Sequence, residues 1–176
     1  MEYRAKDAAW LEALRCRKGD FRPAVFVETG TYRGVTTRLA LQQFSEVHTI
    51  ERSLELFAEI SPALEEEGAH CWCGDSAAIV PLMVPRFEQP VFWFLDAHWV
   101  PDIEMLGPDA NPLPLLDELR AIATRHYHDV VVVDDVSCFG KGPQTEWEQV
   151  TVETIAALFP DASEVVVLED QLAVYR

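Results

Sequence analysis

Short apolar runs of strand length alternate with segments of helical period along most of the chain. The runs at 24–28, 47–51, 70–73, 91–95 and 130–133 read as five strands, the first entering a glycine-containing turn. A helix is predicted over 7–17, ended by Lys18-Gly19-Asp20 with Pro23 beyond it. Others are predicted over 35–44, over 76–83 ahead of Pro85, over 115–126 and over 144–158. Ser53 caps a further helix that runs to 67 and sets Leu54, Phe57, Ala58 and Leu64 near helical spacing. The runs at 164–168 and 172–175 make a hairpin around Glu169-Asp170, a turn without glycine.

Repeated strand–helix units imply a parallel sheet covered on both faces. The expected architecture is therefore α/β: one doubly wound, mostly parallel sheet in a single domain over 1–176, with a C-terminal antiparallel hairpin. Val91-Phe92-Trp93-Phe94-Leu95 is apolar throughout, as a strand buried on both faces must be, which places it centrally and makes Phe92 and Trp93 core. After Asp96 comes a long irregular stretch with Pro101, Gly107, Pro108, Pro112 and Pro114. Loops of that length are uncommon inside a compact domain and usually serve function.

Composition narrows the functional classes. At 49% hydrophobic residues the chain has enough apolar surface to fold, so disorder is not expected. Its net charge of -16 argues against binding nucleic acid, which needs a basic surface, and against attraction to anionic membranes. The plainer meaning of that charge is an acidic, well-solvated exterior. The first residues are charged and lack the apolar core of a signal peptide, so a cytoplasmic protein is expected. Cys71 and Cys73 are one residue apart, which suits neither a redox pair nor a zinc knuckle. They are expected to share one face of a strand and, with Cys16 and Cys138, to be buried free thiols.

The chemistry-bearing residues gather at predicted strand ends, where open parallel sheets bind ligands. Glu28-Thr29-Gly30-Thr31-Tyr32-Arg33-Gly34 follows the first strand, Glu51 ends the second and Gly74-Asp75-Ser76 follows the third. Asp96-Ala97-His98 and Asp134-Asp135 follow the fourth and fifth. Gly30 and Gly34 let the backbone turn sharply and approach a ligand, although a tight strand–helix connection needs no more than that. Glu51 lies about twenty residues beyond that turn, the spacing at which a carboxylate accepts from ribose hydroxyls. The turn lacks the three glycines of the dinucleotide fingerprint, and the Glu28 carboxylate would repel a pyrophosphate. A sulfonium carrying an amino acid head suits that carboxylate better, which favours S-adenosylmethionine.

In these segments the chain resembles class I S-adenosylmethionine-dependent methyltransferases of Rossmann-like fold, and more narrowly the catechol O-methyltransferase group. The resemblance covers 25–143. It implies that Glu28, Gly30, Thr31, Tyr32 and Gly34 form the cofactor loop, that Glu51 holds the ribose, and that Asp75 and Ser76 line the adenine. It also implies that Asp96, beside the cofactor, joins Asp134 and Asp135 in holding a magnesium ion. Two departures stand out. Trp99 occupies the place of the group's general-base lysine, and there is little N-terminal extension to cover the cofactor. The site would then be open, or closed by a second subunit of a homo-oligomer or by the 99–111 loop.

Three carboxylates at adjacent strand ends repel unless neutralised, and a hard divalent cation wants oxygen ligands. Alternatively Asp134 and Asp135 point to opposite sides, one of them bonding backbone amides. His98 has three readings: catalytic base, with a pKa near neutrality, metal ligand, or structural histidine. Tyr32, Trp99, Phe139 and Trp147 are candidates to wall a substrate pocket or stack on adenine. The expected activity is methyl transfer to a hydroxyl of a small molecule, with Asp96 and His98 at the reacting oxygen. An N-directed or metal-free methyltransferase is the alternative. A cofactor-binding protein without transfer activity would show damage to the glycine loop or to Glu51, and neither is damaged.

Overall fold

The computed structural model describes residues 7–19, 21–98, 111–142 and 145–176. In chain order the elements are α1 (Ala8–Arg15), β1 (Val25–Thr29), α2 (Val35–Leu41), β2 (Glu46–Glu51) and α3 (Leu54–Glu66). They continue with β3 (His70–Cys73), α4 (Ser76–Met83), β4 (Val91–Leu95), α5 (Leu115–Ala123), β5 (Val130–Val133), α6 (Val152–Leu158), β6 (Glu164–Leu168) and β7 (Gln171–Tyr175). The strands form a seven-stranded sheet of order β3-β2-β1-β4-β5-β7-β6. The first five are parallel, and β7 runs antiparallel between β5 and β6, so the expected C-terminal hairpin is present. No described helix is long and apolar enough to cross a membrane.

Strand alternation divides the core in two. Val25, Val27, Trp93, Leu95, Val131 and Val133 pack with Val80, Met83, Leu119, Ile122 and Ile155, on the side of α4, α5 and α6. Phe26, Phe92, Phe94, Val130 and Val132 pack with Leu11, Leu14, Ala40 and Leu64, on the side of α1, α2 and α3. Each of the five β4 side chains is buried, which accounts for an apolar run without alternation. At about 1.5–3 kcal/mol for a large apolar side chain fully buried, this strand contributes heavily to cohesion. Phe92 and Trp93 are core, as their sequence context predicts.

Helix starts are set by local chemistry. Asp7, Ser53, Asp75 and Thr151 each place a side-chain oxygen on a first-turn amide, satisfying donors that a helix N-terminus otherwise leaves open. Helix ends depart more from expectation. α2 stops at Leu41 rather than 44, because the chain tightens and drops Phe44 against Phe26, ring centroids 5.1 Å apart. α5 stops at Ala123 rather than 126. Arg125 turns inward instead, donating to the carbonyls of Val84, Phe87 and Gln89 and to the Asp129 carboxylate. The helix predicted over 144–158 is a 3₁₀ turn at Thr145–Gln149 followed by α6, split where Thr151 caps the second piece.

The cysteines are free, but the expectation that they are buried is not met. Cys73 is exposed, and Cys16, Cys71 and Cys138 are half-buried. The reason is topological: β3 is an edge strand of four residues, covered incompletely on both faces. Partial burial, with Glu65 nearby, still pushes the Cys71 thiol up to about 11, which keeps it protonated and unreactive at neutral pH.

Candidate functional site

The strand register brings the candidate residues level. Thr29 pairs with Leu95 and with Ile50, and Leu95 pairs with Val133, so these four strands finish in a row. Strand order reverses at β1 and β4, since β1 connects on toward β2 on one side while the chain re-enters at β4 on the other. A ligand crevice is expected at that switch point.

Gly30 sits where the two halves meet. Its φ is +87°, and a Cβ there would lie 2.6 Å from the Asp96 carbonyl oxygen. Only glycine permits so close an approach of the β1 turn to the segment after β4. Gly30 and Thr31 donate their amides to the Ile50 carbonyl, and Asp96 donates its amide to the Thr29 carbonyl. Gly34 caps α2 in the left-handed region, and Tyr32 reaches positive φ without being glycine. The Tyr32 amide donates to Glu51 Oε2 at 2.9 Å, and Ser53 donates to Glu51 Oε1 at 2.8 Å. Glu51 therefore pins the glycine loop to the end of β2. Each of its oxygens keeps a further lone pair for a ligand hydroxyl.

Glu28 is 2% exposed and turned inward, accepting from Thr37 Oγ1 at 2.5 Å and Thr49 Oγ1 at 2.9 Å. Thr31 and Thr49 share a hydrogen bond at 2.6 Å, so a carboxylate and three hydroxyls brace the loop from beneath. Asp75 caps α4 through the Ala77 amide, next to the buried Ser76. The Gly74 amide reaches the Glu51 carbonyl, which draws the β3 turn to the same edge.

At the ends of β4 and β5 the structure brings together Asp96, His98 and Asp135, whose ligand atoms lie within 4.8 Å of one another. His98 Nε2 and Asp135 Oδ2 are 2.7 Å apart, and the imidazole stands edge-on to Trp147, ring centroids 5.9 Å apart. Asp134 is outside this group. Its amide continues the ladder to the Leu95 carbonyl, and its carboxylate accepts from Gln171 Nε2 at 2.8 Å, on the side where Trp10 holds the same glutamine. Asp135 then adopts a left-handed conformation, φ +58°, which breaks the strand alternation. The two neighbouring aspartates therefore part. In place of three converging carboxylates the site has two carboxylates and an imidazole.

That donor set fits a divalent ion. Two aspartate oxygens suit magnesium, and an imidazole as third ligand shifts preference toward manganese, iron or zinc. Trp147 is buried beside His98 and Phe139, while Tyr32 is 47% exposed at the rim. Trp99 lies outside the described residues.

Three features of the site escaped sequence reasoning. Asp170, in the β6–β7 turn, accepts from the Ser137 amide and hydroxyl at 2.6 and 2.9 Å and so fixes the turn that carries Asp135. Gln171 claims Asp134. Both act across 33 to 37 residues, where no local pattern signals them. The third is Glu118 of α5, a buried acid amid Leu115, Leu119 and Ile122. A charged residue on an otherwise apolar helix face was its one available signal. Burial raises its pKa to about 8, outweighing the nearby hydroxyls of Ser76 and Thr29. Neither hydroxyl completes a hydrogen bond with it.

No family model matches the chain, and no curated protein matches it. Solved structures do resemble it. A Streptococcus mutans protein assigned as a methyltransferase and solved with SAH superposes with TM-score 0.65 at 10% identity, over 98% of this chain and 99% of that one. An rRNA methylase from Streptococcus thermophilus gives 0.59 at 10% identity, over 98% of each chain. Spermidine synthase from Thermotoga maritima gives 0.53 at 12% identity, over 87% of this chain and 52% of that one. This range of proteins bears on the fold and does not single out the catechol group. The chain has the Rossmann-like fold of S-adenosylmethionine-dependent methyltransferases.

Proposed function

We propose that this chain is an S-adenosylmethionine-dependent methyltransferase acting on a hydroxyl of a small molecule. The observation that carries the reading is the His98–Asp135 pair, 2.7 Å apart at the strand ends beside the glycine loop. S-adenosylmethionine, when bound, supplies an electrophilic methyl group on sulfur. The glycine loop, Glu51 and the Asp75-Ser76 segment hold and orient it. Glu28 sets the shape and negative potential of that loop from within. With Asp135 ionised, it accepts from His98 Nε2–H, which puts the lone pair of the neutral ring on Nδ1. His98 would take the hydroxyl proton as that oxygen attacks the methyl carbon, with S-adenosylhomocysteine as the leaving group. Asp135 stabilises the imidazolium that results. Positioning supplies much of the remaining rate in such an in-line displacement.

In the alternative arrangement Asp96, His98 and Asp135 would hold a divalent ion, His98 then serving as a ligand in place of a base and the ion lowering the pKa of the acceptor hydroxyl. Structural likeness to an rRNA methylase does not favour an RNA substrate here, since a net charge of -16 repels a polyanion. The paired aspartates would also attract a cationic amine, so N-methylation is the second reading.

The test is a cofactor-consumption screen against catechols, sugars and amines, with magnesium, with manganese and with chelator. Turnover of a hydroxylated acceptor supports the proposal, and turnover confined to amines replaces it with the second reading. Full turnover after exhaustive chelation removes the metal and leaves His98 as sole activator. In calorimetry with S-adenosylhomocysteine, Glu51→Ala is expected to weaken binding by about 1–3 kcal/mol, the cost of charge-assisted hydrogen bonds. Unchanged affinity would remove Glu51 from the cofactor site.

A further inference from the structure

The chain leaves β5 through a constrained residue. The ladder ends at Val133, and the Asp134 amide still reaches the Leu95 carbonyl. Asp135 then turns to φ +58° and ψ +46°, a left-handed conformation that a residue other than glycine keeps only where its surroundings fix it. The Asp135 carbonyl accepts from the Cys138 amide at 2.8 Å, which closes the turn on itself but ties it to no other element.

The tie comes from the hairpin turn between β6 and β7. The Asp170 carbonyl accepts from the Val136 amide at 2.9 Å. Its carboxylate accepts from the Ser137 amide at 2.6 Å and from the Ser137 hydroxyl at 2.9 Å. One residue therefore takes up the three donors of the two residues directly after Asp135. Strand register explains how it arrives there. Val133 pairs with Leu172 in the antiparallel ladder, so Asp170, just before β7, stands level with Asp135, just beyond β5. Glu169 ahead of it also has a positive φ, +57°, so the turn that presents Asp170 is itself constrained.

We propose that Asp170 is a positioning residue for methyl transfer: by holding the Val136-Ser137 backbone it keeps Asp135 left-handed, and so keeps the Asp135 carboxylate at His98. The inference rests on the methyltransferase reading. It holds whether His98 serves as base or as metal ligand, since both need Asp135 in the same place. The contact at stake is the 2.7 Å between His98 Nε2 and Asp135 Oδ2. Without the clamp Asp135 relaxes toward extended backbone, which swings its side chain away from the imidazole. Misplacing a catalytic group by about 1 Å costs up to about 10²-fold in rate.

The test compares Asp170→Ala, which removes the carboxylate, with Asp170→Asn, whose carbonyl oxygen still accepts from the Ser137 amide and whose amide group can donate to the hydroxyl. Rates are measured by cofactor consumption with a catechol as acceptor, in the wild-type background and in Asp135→Ala. Affinity for S-adenosylhomocysteine is measured by calorimetry. Asp170→Ala is expected to lower kcat by about tenfold or more, with the dissociation constant within about twofold of the wild type. Asp170→Asn is expected to keep kcat within about threefold. In Asp135→Ala, where no carboxylate is left to place, Asp170→Ala should cost less than about twofold further.

A further loss of the full size in that background would show that Asp170 serves the fold alone, and would overturn the proposal. Equal losses in the alanine and asparagine variants would overturn it too, because charge and not the clamp would then be what matters. Crystal structures with S-adenosylhomocysteine bound test the geometry without any acceptor. Asp135 still at positive φ and within hydrogen-bond reach of His98 in Asp170→Ala overturns the proposal. Should Asp170→Ala not fold, Ser137→Ala takes its place, removing one hydroxyl from an exposed residue, and an unchanged kcat there overturns the proposal. A wild type that neither binds S-adenosylhomocysteine nor turns over any acceptor would instead overturn the methyltransferase reading, and this inference with it.

Discussion

His98→Ala is expected to lower the rate of methyl transfer by about 10²-fold or more while leaving cofactor affinity within about twofold. The imidazole is half-buried, held at 2.7 Å by Asp135 and flanked edge-on by Trp147. That setting selects one ring orientation and one tautomer. The cofactor loop, by contrast, is braced from β1, α2 and β2 by Glu28, Thr37, Thr49 and Glu51. Loss of the base should therefore appear in kcat and not in the calorimetry of S-adenosylhomocysteine. Asp135→Asn should act in the same direction, since an amide can present its donor to Nε2 and favour the wrong tautomer. A rate unchanged in both variants would show that the acceptor needs no base from this pair. Loss of cofactor binding in proportion to rate would move His98 into the cofactor pocket.

Gly30→Ala should damage both fold and function. Its φ of +87° costs an L-residue about 1–2 kcal/mol. A Cβ 2.6 Å from the Asp96 carbonyl oxygen meets backbone that cannot step aside, and overpacking of that kind adds about 1–3 kcal/mol. The expected loss is about 2–5 kcal/mol, which for a domain of this size lowers the melting temperature by roughly 2–4 °C per kcal/mol. The displaced segment carries Asp96 and, two residues on, His98, so methyl transfer should fall even at temperatures where the protein remains folded. Thermal unfolding of the variant within 1 °C of the wild type would mean that the β1 turn and the segment after β4 leave room for a Cβ at position 30.

Much of this molecule is legible in one dimension because its determinants are local. The strand-length apolar runs reappear as β1 to β5, and an apolar 91–95 without alternation could only be the central strand, since parallel strands covered on both faces have no polar side to show. The cap Ser53 announced its helix start because the hydrogen bond it makes spans three residues. The gathering of polar residues at strand ends was visible for the same reason. Helix ends were less so: Arg125 abandons the helical pattern for carbonyls that the chain places 36 to 41 residues earlier. The centre itself needed three dimensions. Asp134 and Asp135 are adjacent and chemically identical, and sequence alone left open whether they act together. Gln171 and Trp10 retain the first, while a left-handed turn fastened by Asp170 sends the second to His98. Glu118 reads as an ordinary helical glutamate until α5 docks against β1 and α4. Local periodicity encodes which face of an element is buried; which polar groups meet across that burial is decided only when distant segments pack.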